Sequence, residues 1–414
     1  MMTKIKNKIV LITLTILILV GVIGIVFNNK KINKEKDPEP EPVVVSDTGI
    51  FTIDLLKRIN KEENYLISPY SIEMALNMLR SGANGKTRDE IDNILLKRDL
   101  YLPNNNVKIS NALFIKDMYK SVIEAPFENE LKNKYNSKVL YDEFKTPKVI
   151  NDWVKDSTDG MIEKILDDID PDFVLGLANA IAIDAKWVSE FECSNTVSEK
   201  FDVSSSKSMN VEMMHKIFRS GAKYLDDGEF KGVILPYQES LEFIALLPNE
   251  NLKNHINNLA NNELDNILTR FEDATNDRRL ALSLPRFSYE YSIKDFMGIL
   301  KDMGIKKAFD EEEADFSKII TKENLNKLGK ENIYVSDAIH KTYIDLNEKG
   351  TKAAAVTYFG IRATSGIESY ETVEIKFDRP FIYMIRDTET KEILFLGSVY
   401  EPNKWNGNTC EKSN

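Results

Sequence analysis

Three groups of residues have the types that chemistry requires. Ser336, Asp337 and His340 put an alcohol, a carboxylate and an imidazole close together, the ingredients of a hydrolytic triad. Their spacing in an extended segment does not assemble one, and no Gly-x-Ser-x-Gly elbow exposes a nucleophile elsewhere. Gly82-Ala83-Asn84-Gly85-Lys86-Thr87 ends as a phosphate-binding loop ends, but Arg80 stands where that motif needs its first glycine. His215, His255 and His340 are the only histidines, and with Cys193 and Cys410 they offer neither metal-ligand nor redox spacing. The reading is therefore no catalytic residue, no metal, no cofactor, and two free thiols as the default. A net charge of −11 argues against a nucleic-acid partner.

The stretch with the most unusual pattern carries no catalytic group. From Gly350 onward the alternate positions Thr351, Ala353, Ala355, Thr357, Phe359, Ile361 and Ala363 are small or apolar, while Lys352 and Arg362 fall on the opposite face. An edge strand, or a helix seeded by the alanines, is the plain reading. Yet the stretch opens on Lys349-Gly350 and runs on to Thr364-Ser365-Gly366, and its small side chains would anchor little in a core. The pattern suits a segment that waits outside a sheet and can enter it.

The elements around it read as follows. A helix is expected over Ile50 to Ile59, then a short strand before Ser68-Pro69, an N-cap and first helical residue. That helix stops near Gly82, and a capping box at Thr87 to Glu90 starts the next. Strands are expected over Ser110 to Ile115, unbroken from Phe173 to Trp187, over Val233 to Tyr237 and Leu241 to Pro248 as a hairpin, over Leu280 to Phe287, and over Tyr334 to Leu346. Asn179, polar within an apolar strand, needs a buried partner. Helices are expected over Val149 to Thr158 and Tyr291 to Met303, and Lys322 to Lys330 reads as a solvated surface segment.

The hinge Glu348-Lys349-Gly350-Thr351-Lys352-Ala353-Ala354-Ala355 resembles the reactive-centre hinge of the serpins. So do Asn64 to Ser71, Gly82 to Thr87, the strand ending at Trp187 with Phe191-Glu192 after it, Gly304 to Phe309, Ala314 to Ser317, Phe377-Asp378-Arg379-Pro380-Phe381 and Phe395-Leu396-Gly397. The resemblance spans about 48–405, and no internal repeat or linker divides it, so one domain is expected. It implies an α+β serpin fold: a large central mixed or antiparallel sheet with smaller sheets, surrounded by helices, and an exposed reactive-centre loop at about 348–373.

By the same resemblance the protein is an inhibitor, not an enzyme. A target serine protease cuts the loop and is trapped as the hinge enters the sheet, the hinge being Glu348, Gly350, Thr351, Ala353, Ala354, Ala355 and Thr357. The scissile bond is expected at Thr364-Ser365, which suits an elastase-like or subtilisin-like enzyme; cutting at Arg362-Ala363 would suit a trypsin-like one, and cysteine proteases are a further class. Ser68, Ser71, Asn179 and His340 match the shutter under the sheet. Trp187, Arg286 and Glu348 match the breach where insertion begins, with an Arg286–Glu348 ion pair expected to hold the sheet closed. A monomer that can polymerise by loop insertion is implied; a non-inhibitory serpin acting as a surface binding or chaperone-like protein is the alternative.

The N-terminus adds a location. Residues 1–8 are basic, and the uninterrupted apolar run 9–27 is long enough to cross a bilayer as a helix. No small-x-small cleavage site closes the run, so an uncleaved signal anchor is preferred to a signal peptide. Residues 28–47 contain Asp37-Pro38-Glu39-Pro40-Glu41-Pro42, an extended spacer, and 406–414 is a polar tail. An extracellular or cell-surface domain, membrane-anchored or secreted, follows.

Overall fold

The opening helix α1 (Asp47–Ile59) buries Phe51, Leu55, Leu56 and Ile59 along one face. The computed structural model describes residues 47–95, 107–238, 240–274, 277–351 and 371–407. Strand β1 (Tyr65–Ile67) is wholly buried, and Ser68 then caps α2 (Pro69–Gly82) by accepting the Ser71 N–H at 3.1 Å. The capping box expected at Thr87 is absent, because α3 (Gly85–Ile94) starts earlier, after Asn84. Both polar side chains hold other segments instead. Thr87 is buried and accepts the Asp315 N–H at 2.9 Å, while Glu90 accepts the N–H groups of Lys306 and Lys307, each at 2.7 Å.

Strand β2 (Val107–Lys116) is followed by α4 (Ala125–Tyr135), β3 (Ser137–Asp142), α5 (Lys148–Ser157) and β4 (Leu175–Ile183). In this three-stranded sheet β2 lies between β3, parallel, and β4, antiparallel. The strand expected to run unbroken to Trp187 stops at Ile183, where its ladder with β2 ends at Val107. It resumes as the short β5 (Ala185–Lys186) with a different partner.

Next come β6 (Thr196–Ser204), β7 (Lys207–Phe218), β8 (Lys223–Asp226), β9 (Phe230–Pro236) and β10 (Leu241–Pro248), then the helices α6 (Leu252–Asn258) and α7 (Glu263–Asp273). The expected single strand over 280–287 is two, β11 (Arg279–Pro285) and β12 (Phe287–Ser292), which belong to different sheets and meet at Arg286. The helix expected from Tyr291 begins only at Phe296 as α8 (Phe296–Met303), because Tyr291 pairs with Thr342 in a ladder and Asp295 supplies the cap. Part of the segment read as purely solvated forms α9 (Lys322–Lys327), capped by Thr321 and anchored by buried Leu325. The long strand expected from Tyr334 starts at Lys341, where its antiparallel partner β12 ends at Ser292.

That strand, β13 (Lys341–Asn347), turns into β14 (Gly350–Thr351); β15 (Thr372–Lys376), β16 (Phe381–Asp387) and β17 (Ile393–Val399) complete the chain. The sheets run β1-β17-β16-β10-β9-β8, β15-β11-β7-β6 and β12-β13-β14-β5, besides β3-β2-β4. Every residue of β16 and β17 is buried. Ser46–Asn414 forms one compact unit, and the fold is α+β with several sheets. The apolar run 9–27 lies outside the described residues; among those described, no helix is long and apolar enough to cross a membrane.

The free-thiol expectation is overturned, since Cys193 is disulfide-bonded. Cys410 is the only other cysteine of the sequence and lies outside the described residues.

Gly397 is where the buried sheet tolerates least. A Cβ there would lie 2.6 Å from the Tyr65 carbonyl oxygen and 2.7 Å from the Tyr383 hydroxyl. Gly397→Ala should therefore cost about 1–3 kcal/mol, read as a lower urea midpoint with an unchanged slope.

Candidate functional site

The residues Glu348 and Lys349 turn β13 back on itself. Gly350 then pairs with Asn347 of β13 on one side and Lys186 of β5 on the other, and Thr351 pairs with Leu346 and Ala185. The first two residues beyond the turn are thus already an interior strand. Gly350 sits at φ +149°, and a Cβ there would fall 2.0 Å from the Ala185 carbonyl oxygen, so only glycine passes. The buried Thr351 hydroxyl is 2.6 Å from the Tyr237 hydroxyl, whose ionisation burial pushes well above the usual phenol range. Below this point, among the described residues, β4 pairs only with β2, and no ladder joins it to β13.

Trp187 forms one wall of this slot. Its indole lies flat on Tyr237, ring centroids 4.2 Å apart and planes within 7°, and its Nε1–H donates to the Asn347 carbonyl at 2.9 Å. The main-chain N–H groups of Trp187 and Phe191 donate to the carbonyls of Lys349 and Glu348, each at 2.9 Å.

Glu348 is 4% exposed, so its charge requires a partner. Arg286, at the junction of β11 and β12, supplies Nε at 2.7 Å and a second contact through Nη2 to the same carboxylate oxygen. The other oxygen accepts from the Thr196 hydroxyl, and Arg286 Nη1 also reaches Glu212 at 3.5 Å. Nearby Asp345 is held above the usual carboxylate range by burial, against the opposing pull of Arg286. The pair is therefore not an exposed one of negligible weight.

A second polar cluster lies under the sheet. The Ser68 N–H donates to His340 Nε2 at 3.1 Å, the Ser71 hydroxyl donates to Asn179 Oδ1, and Asn179 Nδ2 donates to Asn111 Oδ1 at 2.8 Å. Asn111 in turn donates to the Tyr135 carbonyl at 2.6 Å. These bonds connect α2, β4, β2 and the segment leading into β13. Burial pushes the His340 imidazole down to about 3, so it stays neutral and accepts.

The structure thus gathers Ser68, Ser71, Asn179 and His340 in one cluster and Trp187, Arg286 and Glu348 in another. Ala353, Ala354, Ala355, Thr357, Arg362, Ala363, Thr364 and Ser365 lie outside the described residues. Sequence reading missed Asn111, Thr196, Glu212 and Tyr237. Asn111 carried the same signal as Asn179, a polar residue in an apolar strand, and the two are directly paired. Thr196 and Tyr237 carried none. Ser336 and Asp337 do not join His340, whose ring is engaged by Ser68; Asp337 accepts from the Ala338 N–H at 2.8 Å. Among the described residues no group of three or more His, Cys, Asp or Glu could hold a metal ion.

Two outcomes follow from this geometry. Glu348→Lys leaves Arg286 facing a like charge in a buried site and should cost about 3–5 kcal/mol at the head of the sheet, seen as faster polymer formation on native gels. For His340, the unfolded chain binds a proton between pH 6.5 and about 3 and the native chain does not. Stability from this group is therefore complete above pH 6.5 and lost as pH falls. About 2 kcal/mol should disappear between pH 7 and pH 5 in denaturant titrations, and His340→Asn should flatten that slope.

Comparison with known proteins bears on most of the chain. The family model described as serpin (serine protease inhibitor) matches residues 46–402. A serpin-like protein of Thermococcus kodakarensis is 30% identical over 398 residues, covering 89% of this chain and 87% of that protein. The thermophilic serpin tengpin in its native state aligns with a TM-score of 0.73 at 31% identity, over 86% of this chain and 94% of its own. Thyroxine-binding globulin in complex with thyroxine aligns with a TM-score of 0.72 at 26% identity, over 87% of this chain and 99% of its own. With the double-sided pairing of Gly350 and Thr351 beneath Trp187 already in place, these matches extend from the hinge to the ends of the fold: the chain belongs to the serpin family.

Proposed function

We propose that the protein inhibits serine proteases as a suicide substrate, exposed outside the cell and held to a membrane by residues 9–27. The observation that carries this reading is the double-sided pairing of Gly350 and Thr351, above strands β4 and β13 that share no ladder among the described residues. A strand that has begun to enter a sheet needs only freedom at its far end to continue.

The protease supplies that freedom. Its nucleophile attacks the Thr364 carbonyl, the bond to Ser365 breaks, and the enzyme stays as an acyl ester on Thr364 while the chain beyond remains anchored through β15. Residues from Lys352 then add to the sheet behind Thr351, and the small side chains Ala353, Ala355 and Thr357 pass the interior face without clash. Each new backbone hydrogen bond contributes about 1 kcal/mol net, so roughly a dozen supply on the order of 10 kcal/mol, enough to distort an attached enzyme. Thr364 favours an elastase-like or subtilisin-like target; cutting at Arg362 would bring in trypsin-like enzymes, and cysteine proteases share the acyl chemistry. A non-inhibitory binding role draws support from the likeness to thyroxine-binding globulin, but the small hinge residues weigh against it.

The test is to incubate the full chain in detergent with elastase, subtilisin and trypsin, resolve the products on denaturing gels, and weigh the released C-terminal peptide. A complex stable to denaturation is expected, with a peptide beginning at Ser365; a peptide beginning at Ala363 would move the scissile bond. Cleavage with neither a complex nor a rise in thermal stability would sink the inhibitory reading. Gly350→Val, which meets the Ala185 carbonyl, should leave cleavage intact while lowering the yield of complex about tenfold.

A further inference from the structure

The last turn of α2, the start of α4 and the segment that leads into α9 line a half-open cavity of about 260 Å³, apart from both polar clusters. Its back is closely packed. A Cβ on Gly82 would fall 2.4 Å from Ile319 Cγ1 and 3.1 Å from Phe127 Cε2, so only glycine lets α2 end against that wall. The walls are also bonded to one another. The Glu124 N–H donates to the Ile319 carbonyl at 2.9 Å, the Asn84 N–H to the Asp315 carbonyl at 2.9 Å, and Asn84 Nδ2 to the Ser317 hydroxyl at 3.2 Å. A cavity framed in this way is preformed. Sites for drug-sized ligands run from roughly 300 to 1,000 Å³, so this one suits a smaller molecule.

The lining combines three chemistries. Its accessible surface is mostly apolar, and Phe127 and Pro126 contribute to it. Two carboxylates, Glu124 and Glu130, face one ammonium, Lys318. Glu124 is half-buried, while Glu130 and Lys318 reach solvent. Glu130 is nevertheless oriented, because its Oε1 accepts the hydroxyl of the buried Ser81 at 2.8 Å, which leaves Oε2 for a second donor. Both signs of charge beside an apolar wall complement a molecule that carries both charges on an apolar body.

We propose that this cavity binds a free α-amino acid with an apolar side chain. The ammonium of the ligand lies between Glu130 and Glu124, its carboxylate meets Lys318, and its side chain covers Phe127 and Pro126. An amine without the carboxylate leaves Lys318 unanswered; an acid without the ammonium meets two like charges. By mass action the occupied cavity adds to the stability of the native fold.

The inference goes beyond the inhibitory reading, and no protease enters its test. L-Phenylalanine, phenethylamine and hydrocinnamate share an apolar body and carry both charges, the positive charge alone and the negative charge alone. Each is titrated calorimetrically into the full chain in detergent, beside Glu130→Gln and Lys318→Met. Both substituted side chains are exposed, and an amide can still accept from Ser81, so the variants should match the native chain in thermal unfolding without ligand. Phenylalanine should bind about tenfold more tightly than either relative and raise the unfolding temperature. Glu130→Gln should weaken phenylalanine and phenethylamine about tenfold without weakening hydrocinnamate, and Lys318→Met should weaken phenylalanine and hydrocinnamate while sparing phenethylamine. Equal affinity for the three compounds, variants that bind phenylalanine as the native chain does, or no binding at millimolar ligand would each overturn the site. Phenylalanine binding by a chain that forms no protease complex keeps this inference and removes the inhibitory one.

Discussion

A single buried carboxylate sets the arrangement at the head of the sheet. Glu348 follows β13, Arg286 lies between β11 and β12, and Thr196 begins β6, so the bonds to one side chain connect the β12-β13-β14-β5 sheet to the β15-β11-β7-β6 sheet. Taking two charges from water is expensive, and a complete set of partners does little more than offset that cost. What the arrangement contributes is position. With its carboxylate away from Arg286 and Thr196, Glu348 would carry an unpaired buried charge, and this places Gly350 opposite Ala185 and Lys186.

Two kinds of cohesion meet beneath it. The six-stranded sheet is held by side chains buried on both faces, as along β16 and β17, and such packing resists any sliding because every displaced methyl group leaves a void. Around α2, β4 and the segment before β13 the side-chain bonds are polar. Ser68, Ser71, Asn111, Asn179 and His340 form a series of directional bonds whose donors and acceptors can find new partners when the strands part.

Much of this was legible before the fold was known, though unevenly. Ser68-Pro69 announced a helix start that the structure contains, and the apolar runs of β9 and β10 announced their hairpin. The errors cluster at element ends: at Asp184 and Arg286 one ladder stops and another begins, Tyr291 lies near the end of the β12–β13 ladder, and Lys341 opens β13 within that same ladder. Alternation within a segment cannot report where its partner strand runs out, because that is a property of the partner. Among the site residues, Trp187, Arg286 and Glu348 could be named from the family resemblance. Asn111 could have been found by the argument applied to Asn179. Thr196 looks in sequence like any threonine at a strand start, since only the distant carboxylate distinguishes it.

The sequence by itself determined the local grammar: small residues alternating after Gly350, a cap before α2, an apolar run with a charged spacer at the N-terminus, and two cysteines in all. Tertiary structure alone decided that the Gly350 Cβ position is filled by the Ala185 carbonyl, that the Arg286–Glu348 pair is buried, and that Cys193 is bonded rather than free. The physical reason is range. Propensity, capping and periodicity act within a turn or a strand, whereas the partners of Glu348 lie 62 and 152 residues away along the chain and meet it only once the sheets that carry β13 and β6 have come together.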